Sequence, residues 1–174
     1  MSADNKDVVA VIETDAGELA VEFFADVAPG HVENFVKLAR EGYFDGTCFH
    51  RVIPGFMIQG GDPNTKSKDV SKWGTGGPGY KIKAEFNKVH HERGVLSMAR
   101  SAHPDSAGSQ FFVVHGEAGF LDGKYTAFGR LTEGFDALDA IATAPCHSDG
   151  EGSRPKNPVR IRKVSIRKAK EAEE

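Results

Sequence analysis

Apolar residues in this chain recur mostly at every second position, in short runs cut by Gly, Pro, Asn and Asp. That alternation restricts the fold more than any other feature, because period two is the signature of half-buried strands. Val8 to Thr14 is β-branched and apolar, Asp15-Ala16-Gly17 has turn chemistry, and Glu18 to Phe24 alternates with Leu19, Val21 and Phe23 on one face, which predicts a hairpin with one buried side. Further strand-like runs lie at Cys48 to Val52, Phe56 to Gln59, Val95 to Ala99, Phe111 to Val114 and Thr126 to Leu131. Helical spacing marks two segments. One starts at Pro29, which suits a first helical turn, and carries Val32, Phe35, Val36 and Ala39 before Gly42; the other is Phe135 to Ala142, with Leu138 and Ile141 inward. In the last strand, Val159 to Arg167, the apolar residues change parity between Ile161 and Val164, which predicts a β-bulge near Arg162 or Lys163. Many short strands with two helices predict a mainly β protein, a closed and mainly antiparallel β-barrel with helical end caps, since closure removes unpaired edges.

A length of 174 residues with 39% hydrophobic and 27% charged content fits one domain with one sizeable core. We assign it to residues 8–167, with a flexible N-terminus at 1–7 and a charged tail at 168–174. A net charge of −3 supplies no basic field for nucleic acid. The basic residues between Arg160 and Lys170 are read as a solvated strand face, partly neutralised by the acidic end. Met1 to Asp7 lacks the basic and apolar regions of a signal peptide, and no apolar run approaches a membrane span, so a soluble cytoplasmic protein is expected, with no membrane partner. Cys48 and Cys146 sit in no metal or redox spacing and are read as free thiols; no metal site is expected. His90 and His91 are read as a loop pair facing opposite ways. The longest irregular stretch, Asp62 to Gly79, has the length at which loops in compact domains are often functional.

Taken alone, Phe56, Met57 and Phe112 read as core residues as readily as site residues. Arg51 is more informative, a cation on a strand-like run beside apolar neighbours, where a structural salt bridge and a functional role are both open. The segment Phe49-His50-Arg51-Val52-Ile53-Pro54-Gly55-Phe56-Met57-Ile58-Gln59-Gly60-Gly61-Asp62 strongly resembles the signature of the cyclophilin-type peptidyl-prolyl cis-trans isomerases. Gly94 to Arg100, Gly108-Ser109-Gln110-Phe111-Phe112, and Phe120-Leu121-Asp122-Gly123-Lys124-Tyr125 resemble the family's other active-site strips in the same order, and the resemblance runs from about Val9 to about Ile166.

The resemblance implies an eight-stranded barrel capped by two helices, with a substrate groove on its outer face, and rotation about X-Pro bonds in folding proteins. No cofactor is implied. It assigns catalysis to Arg51, Gln59 and Phe56, with Arg51 directed at the prolyl nitrogen and Gln59 orienting the guanidinium. Met57, Phe112 and Leu121 join Phe56 around the proline ring; Gln110 lines the neighbouring groove; Ala99 and Arg100 meet the peptide through their main chain; Thr75, with Gly74 to Gly77, forms the rim of a pocket for residues before the proline. Three positions depart from the common eukaryotic pattern: Arg100 for Asn, Phe120 for Trp and Tyr125 for His. Loss of the indole donor at Phe120 implies weakened cyclosporin binding, and the pattern resembles small single-domain prokaryotic members. Expected partners are X-Pro peptides and unfolded or folding proteins, met by a monomer. A non-catalytic proline-peptide binding module or chaperone is the main alternative. A hydrolase is a weak third, because Gly108-Ser109 lacks the following x-Gly of a nucleophile elbow.

Overall fold

The computed structural model describes residues 6–147 and 153–169. Its strands are β1 (Val8–Thr14), β2 (Gly17–Phe23), β3 (Arg51–Ile53), β4 (Met57–Gly60), β5 (Val95–Met98), β6 (Phe111–Val114), β7 (Ala127–Glu133) and β8 (Ile161–Lys168); its helices are α1 (Pro29–Arg40) and α2 (Phe135–Ala142). The strands form one antiparallel sheet in the order β3-β4-β6-β5-β7-β2-β1-β8. The tail assigned to 168–174 falls largely outside the described residues, as does most of 1–7, and β8 runs through Lys168.

As a ladder of strands the sheet is open, with β3 and β8 at its two ends. The mainly β, antiparallel architecture expected from the sequence is present, and among the described residues no regular ladder joins the two ends. The segment preceding β3 meets the segment preceding β8 through single backbone bonds: Gly46 N–H to Ile161 C=O (2.8 Å), Ile161 N–H to Thr47 C=O (2.7 Å), Phe49 N–H to Val159 C=O (3.0 Å) and Val52 N–H to Ser153 C=O (2.9 Å). Pro155 and Pro158 interrupt this second segment, and a residue without an N–H cannot extend a regular ladder. For the same reason β3 begins at Arg51 rather than Cys48, which makes only an isolated bridge to Arg160. β4 starts one residue later than expected because Phe56 closes the preceding turn, donating its N–H to Ile53 C=O (3.0 Å).

The interior is dominated by phenylalanine. Phe35 of α1 lies 4.9 Å from Phe44, 5.4 Å from Phe111 and 5.6 Å from Phe128 between ring centroids, in stacked, edge-on and tilted arrangements respectively, the separations at which aromatic pairs attract. Val32, Val36 and Ala39 complete the buried stripe of α1, and Leu138 and Ile141 that of α2. A second, smaller cluster of Met57, Val95, Phe112, Val114, Leu121 and Ala127 lies on the other face of the sheet. Every residue of β5 and β6 is consequently buried.

The parity change in β8 is resolved by a bulge. Lys163 pairs with Glu13 and Ile161 with Thr14, leaving Arg162 as the extra residue. Ile161 and Val164 are thereby both buried while Arg162 and Lys163 face out. Deleting Arg162 should force one of the two apolar side chains to the surface, at a cost of about 2–4 kcal/mol. Arg162→Ala, which removes only the exposed ion pair with Asp15 (2.7 Å), should cost under about 1 kcal/mol. Urea midpoints of the two variants measure the difference.

Candidate active site

The site is built on one row of the sheet. Arg51 of β3 pairs with Gln59 of β4, Gln59 with Phe112 of β6, and Phe112 with Ser97 of β5. Residues opposite one another in a ladder share a face, so the four stand side by side on the face of the smaller cluster. Their sequence neighbours Val52, Ile58, Val113 and Leu96 enter the main core behind.

A cavity of about 180 Å³ opens over this row, lined by Arg51, Phe56, Met57, Gln59, Ala99, Arg100, Phe112, Leu121 and Tyr125. Met57 and Phe112 are buried and form its floor, and Phe112 meets Tyr125 edge-on at 5.9 Å. Arg51 stands half-buried at the edge, its Nη1 3.5 Å from Gln59 Oε1. Gln59 Nε2 donates to Gln110 Oε1 (3.0 Å), and Gln110 Nε2 donates to the carbonyls of Gly74 and Gly76 (both 3.0 Å). The relay has one polarity throughout, which fixes both amide orientations.

A larger cavity of about 820 Å³ adjoins the first, sharing Gln59, Ala99 and Arg100 with it. Gln110 and Thr75 line this second space instead of the first. Its rim is held from below by buried Asp62, which accepts the N–H groups of Asn64 (2.8 Å) and Gly74. Only glycine fits at Gly76, where a Cβ would lie 2.2 Å from Asp62 Oδ1. Phe120 lines neither cavity; 64% exposed, it packs on Phe56 at 5.3 Å.

Ala99 N–H is engaged by Gln110 C=O (3.0 Å), so a peptide reaching this segment meets the Ala99 carbonyl rather than its N–H. Arg100 lies 4.6 Å above the Tyr125 ring, and its guanidinium donates to the carbonyls of Lys124, Ser101 and Ala102 at 2.9–3.2 Å. His50, adjacent to Arg51, is buried, and burial holds its imidazole below the ordinary pKa against the opposing pull of Asp62.

Sequence reasoning missed the support beneath Phe112. His91 is buried with its ring stacked 6.2 Å from that of Phe112, its Nδ1 2.9 Å from Asp122 Oδ1 and its Nε2 2.8 Å from Ser97 Oγ. Asp122 also accepts His91 N–H (2.7 Å) and faces His90 Nδ1 (2.5 Å), so the two histidines grip the turn that carries Leu121 and Tyr125. Ser97, His91 and Asp122 stand in the order of a hydrolytic triad, but Ser97 has no solvent exposure and no substrate carbonyl can reach it.

The hydrogen bond from His90, with the bonds from His91, holds the Asp122 carboxyl down to about 2, and Asp122 in turn raises His90. A lowered carboxyl stabilises the fold above its ordinary pKa of about 4, and that contribution is lost as pH falls toward 2. A raised histidine contributes below its ordinary pKa of about 6.5 and loses that contribution as pH rises through the raised value. The melting temperature of Asp122→Asn should therefore fall furthest below wild type at about pH 5.5 and less at about pH 9 and pH 2, a comparison that thermal unfolding at the three pH values makes directly.

Residues 9–166 match the family model described as cyclophilin type peptidyl-prolyl cis-trans isomerase/CLD. A Brucella abortus protein named probable peptidyl-prolyl cis-trans isomerase is 42% identical over 95% of this chain and 85% of its own length. Peptidyl-prolyl cis-trans isomerase B of Bacillus subtilis is 49% identical over 70% of this chain and 81% of its own. Among solved structures, a Cryptosporidium parvum cyclophilin type peptidyl-prolyl cis-trans isomerase, crystallised in the presence of the dipeptide Ala-Pro, superposes with a TM-score of 0.81 at 33% identity, covering 91% of this chain and 98% of that one.

Proposed function

This chain belongs to the cyclophilin-type peptidyl-prolyl cis-trans isomerases and is an isomerase of X-Pro peptide bonds, and on that premise we propose that Arg51 is the catalytic residue and that the smaller cavity takes the proline ring. The observation that carries this reading is the placement of one guanidinium, backed by Gln59, at the edge of an apolar pocket floored by Met57 and Phe112.

A peptide bond resists rotation by about 18–20 kcal/mol because nitrogen shares its lone pair with the carbonyl. In the twisted transition state that sharing is lost, and the prolyl nitrogen becomes pyramidal and able to accept a hydrogen bond. A donor aimed at the nitrogen stabilises the transition state more than either planar isomer, which is the requirement for catalysis. Arg51 is always charged and geometrically rigid; Gln59 orients it, and Phe56, Leu121 and the floor residues exclude water so that its hydrogen bond strengthens. Raising a rate of roughly 0.01 per second to about a thousand requires about 7 kcal/mol. One charged hydrogen bond contributes about 1.5–3 kcal/mol, so the pocket's preference for the twisted conformer and the desolvation of the bond supply the remainder. A pure binding module would have no use for the guanidinium.

The larger cavity, under the rim at Thr75, receives residues that precede the proline, with the Ala99 carbonyl and the Arg100 main chain meeting the peptide between the two spaces. Unfolded and folding proteins, met by a monomer in the cytoplasm, are the natural substrates in this reading. The backbone bonds of Gly46, Phe49 and Ile161 close the sheet into a barrel in solution, and slow exchange of those three amides is the corresponding expectation.

Arg51→Ala should lower kcat/KM on an X-Pro peptide at least tenfold with the circular dichroism spectrum unchanged, and Arg51→Lys should also be impaired, because a mobile ammonium does not reproduce the planar fork. A folded Arg51→Ala protein with full activity would overturn the assignment. Phe120 offers no donor and stands outside the proline cavity, so Phe120→Trp should tighten cyclosporin several-fold while altering turnover only modestly. Inhibition curves of both proteins in one isomerase assay measure that difference.

A further inference from the structure

Phe56 walls the proline cavity from an exposed turn, residues 54–56, which is tied to the body of the protein by the end of β6. His115 N–H donates to Phe56 C=O (2.8 Å), and Gly55 N–H donates to His115 Nδ1 (2.8 Å). The Gly55 carbonyl packs so closely that a Cβ on Gly116 would lie 2.3 Å from it, so the turn sits on a seat only glycine can form. Since Gly55 N–H can only donate, Nδ1 is the accepting nitrogen, and the proton of the neutral ring resides on Nε2. Nε2 lies 2.9 Å from Asp139 Oδ1 on α2. Asp139 receives a two-pronged bond from Arg93 (2.7 and 3.0 Å), which also donates to His115 C=O (3.0 Å) and covers the Phe135 ring at 5.2 Å.

We propose that His115, held by Asp139 in the tautomer protonated at Nε2, is a positioning residue for Phe56 and thereby sets how tightly the enzyme holds proline. The proposal rests on the reading of the smaller cavity as the proline site. Nothing in the rotation reaction calls for this histidine, yet both of its ring nitrogens have partners, and one of these, Gly55, directly precedes Phe56 of the pocket wall. A second proton on Nδ1 would set N–H against N–H at Gly55 and release the turn. The charged groups around the imidazole are Asp139 of α2 and Arg93 of the turn before β5, with Asp136 of α2 acting on Arg93. Because rotation transfers no proton, loss of the acceptor at Nδ1 should raise KM and leave kcat nearly unchanged.

KM and kcat for an X-Pro peptide, measured on wild type, His115→Asn and His115→Leu, test this. Asn Oδ1 occupies the place of Nδ1 and accepts the Gly55 N–H, so His115→Asn should keep the wild-type KM. His115→Leu should raise KM about three- to tenfold, with kcat within about twofold. His115→Leu with an unchanged KM, or a folded His115→Asn that behaves like His115→Leu, would each overturn the proposal. If Phe56→Ala left KM unchanged, the failure would belong to the reading of the cavity, whatever His115 does.

Discussion

Hydrogen bonding among β3, β4, β6 and β5 fixes the register that stands Arg51, Gln59, Phe112 and Ser97 in one row, and the geometry of the site depends on it. Strand side chains alternate strictly, so a slip of one residue in β3 would turn Val52 outward and drive the Arg51 guanidinium into the phenylalanine interior. The penalty for burying an unpaired cation excludes that register. Stability and the geometry of the candidate site are thus set by the same pairing: the apolar residues at alternate positions lock the strands, and the polar residues between them are brought into line.

The hairpin of β1 and β2 and the bulge of β8 are legible in the sequence because each follows from local alternation: a change of parity between Ile161 and Val164 has one simple remedy, and Arg162 supplies it. The edges of the sheet are less legible. Cys48 and Phe49 read as strand, but their partners lie in a segment more than a hundred residues later that Pro155 and Pro158 interrupt, and local pattern carries no information about so distant a neighbour. The site divides in the same way. Arg51, Phe56, Met57, Gln59 and Phe112 stand out as a motif. The pairs His91–Asp122 and His115–Asp139 are separated by 31 and 24 residues, and a histidine in a turn gives no sign in sequence of which carboxylate the chain will bring to it.

The two sides of the smaller cavity differ in kind. Its floor, Met57 and Phe112, is buried on strands, and Phe112 lies against His91, whose Nε2 meets Ser97 Oγ. Its outer wall, Phe56 with Phe120 against it, rides on turns. If the cavity holds a proline ring as proposed, the strands fix where the ring sits, and the position of the wall depends on how the turn at residues 54–56 is tethered.

Arg100 stands at the junction of the two cavities with its guanidinium already bonded to three carbonyls and laid over an aromatic ring. Side-chain hydrogen bonds of this kind immobilise a charge without cancelling it, because carbonyl dipoles are neutral overall. The junction of the two cavities therefore holds a fixed positive charge on a protein whose net charge is −3. Its reach in a physiological electrolyte is about 8 Å, enough to bias the approach of an incoming chain before any atom touches. A chain bearing carboxylates would meet such a charge sooner than one bearing lysines, and the difference would be one of encounter rate, which dissolved salt diminishes.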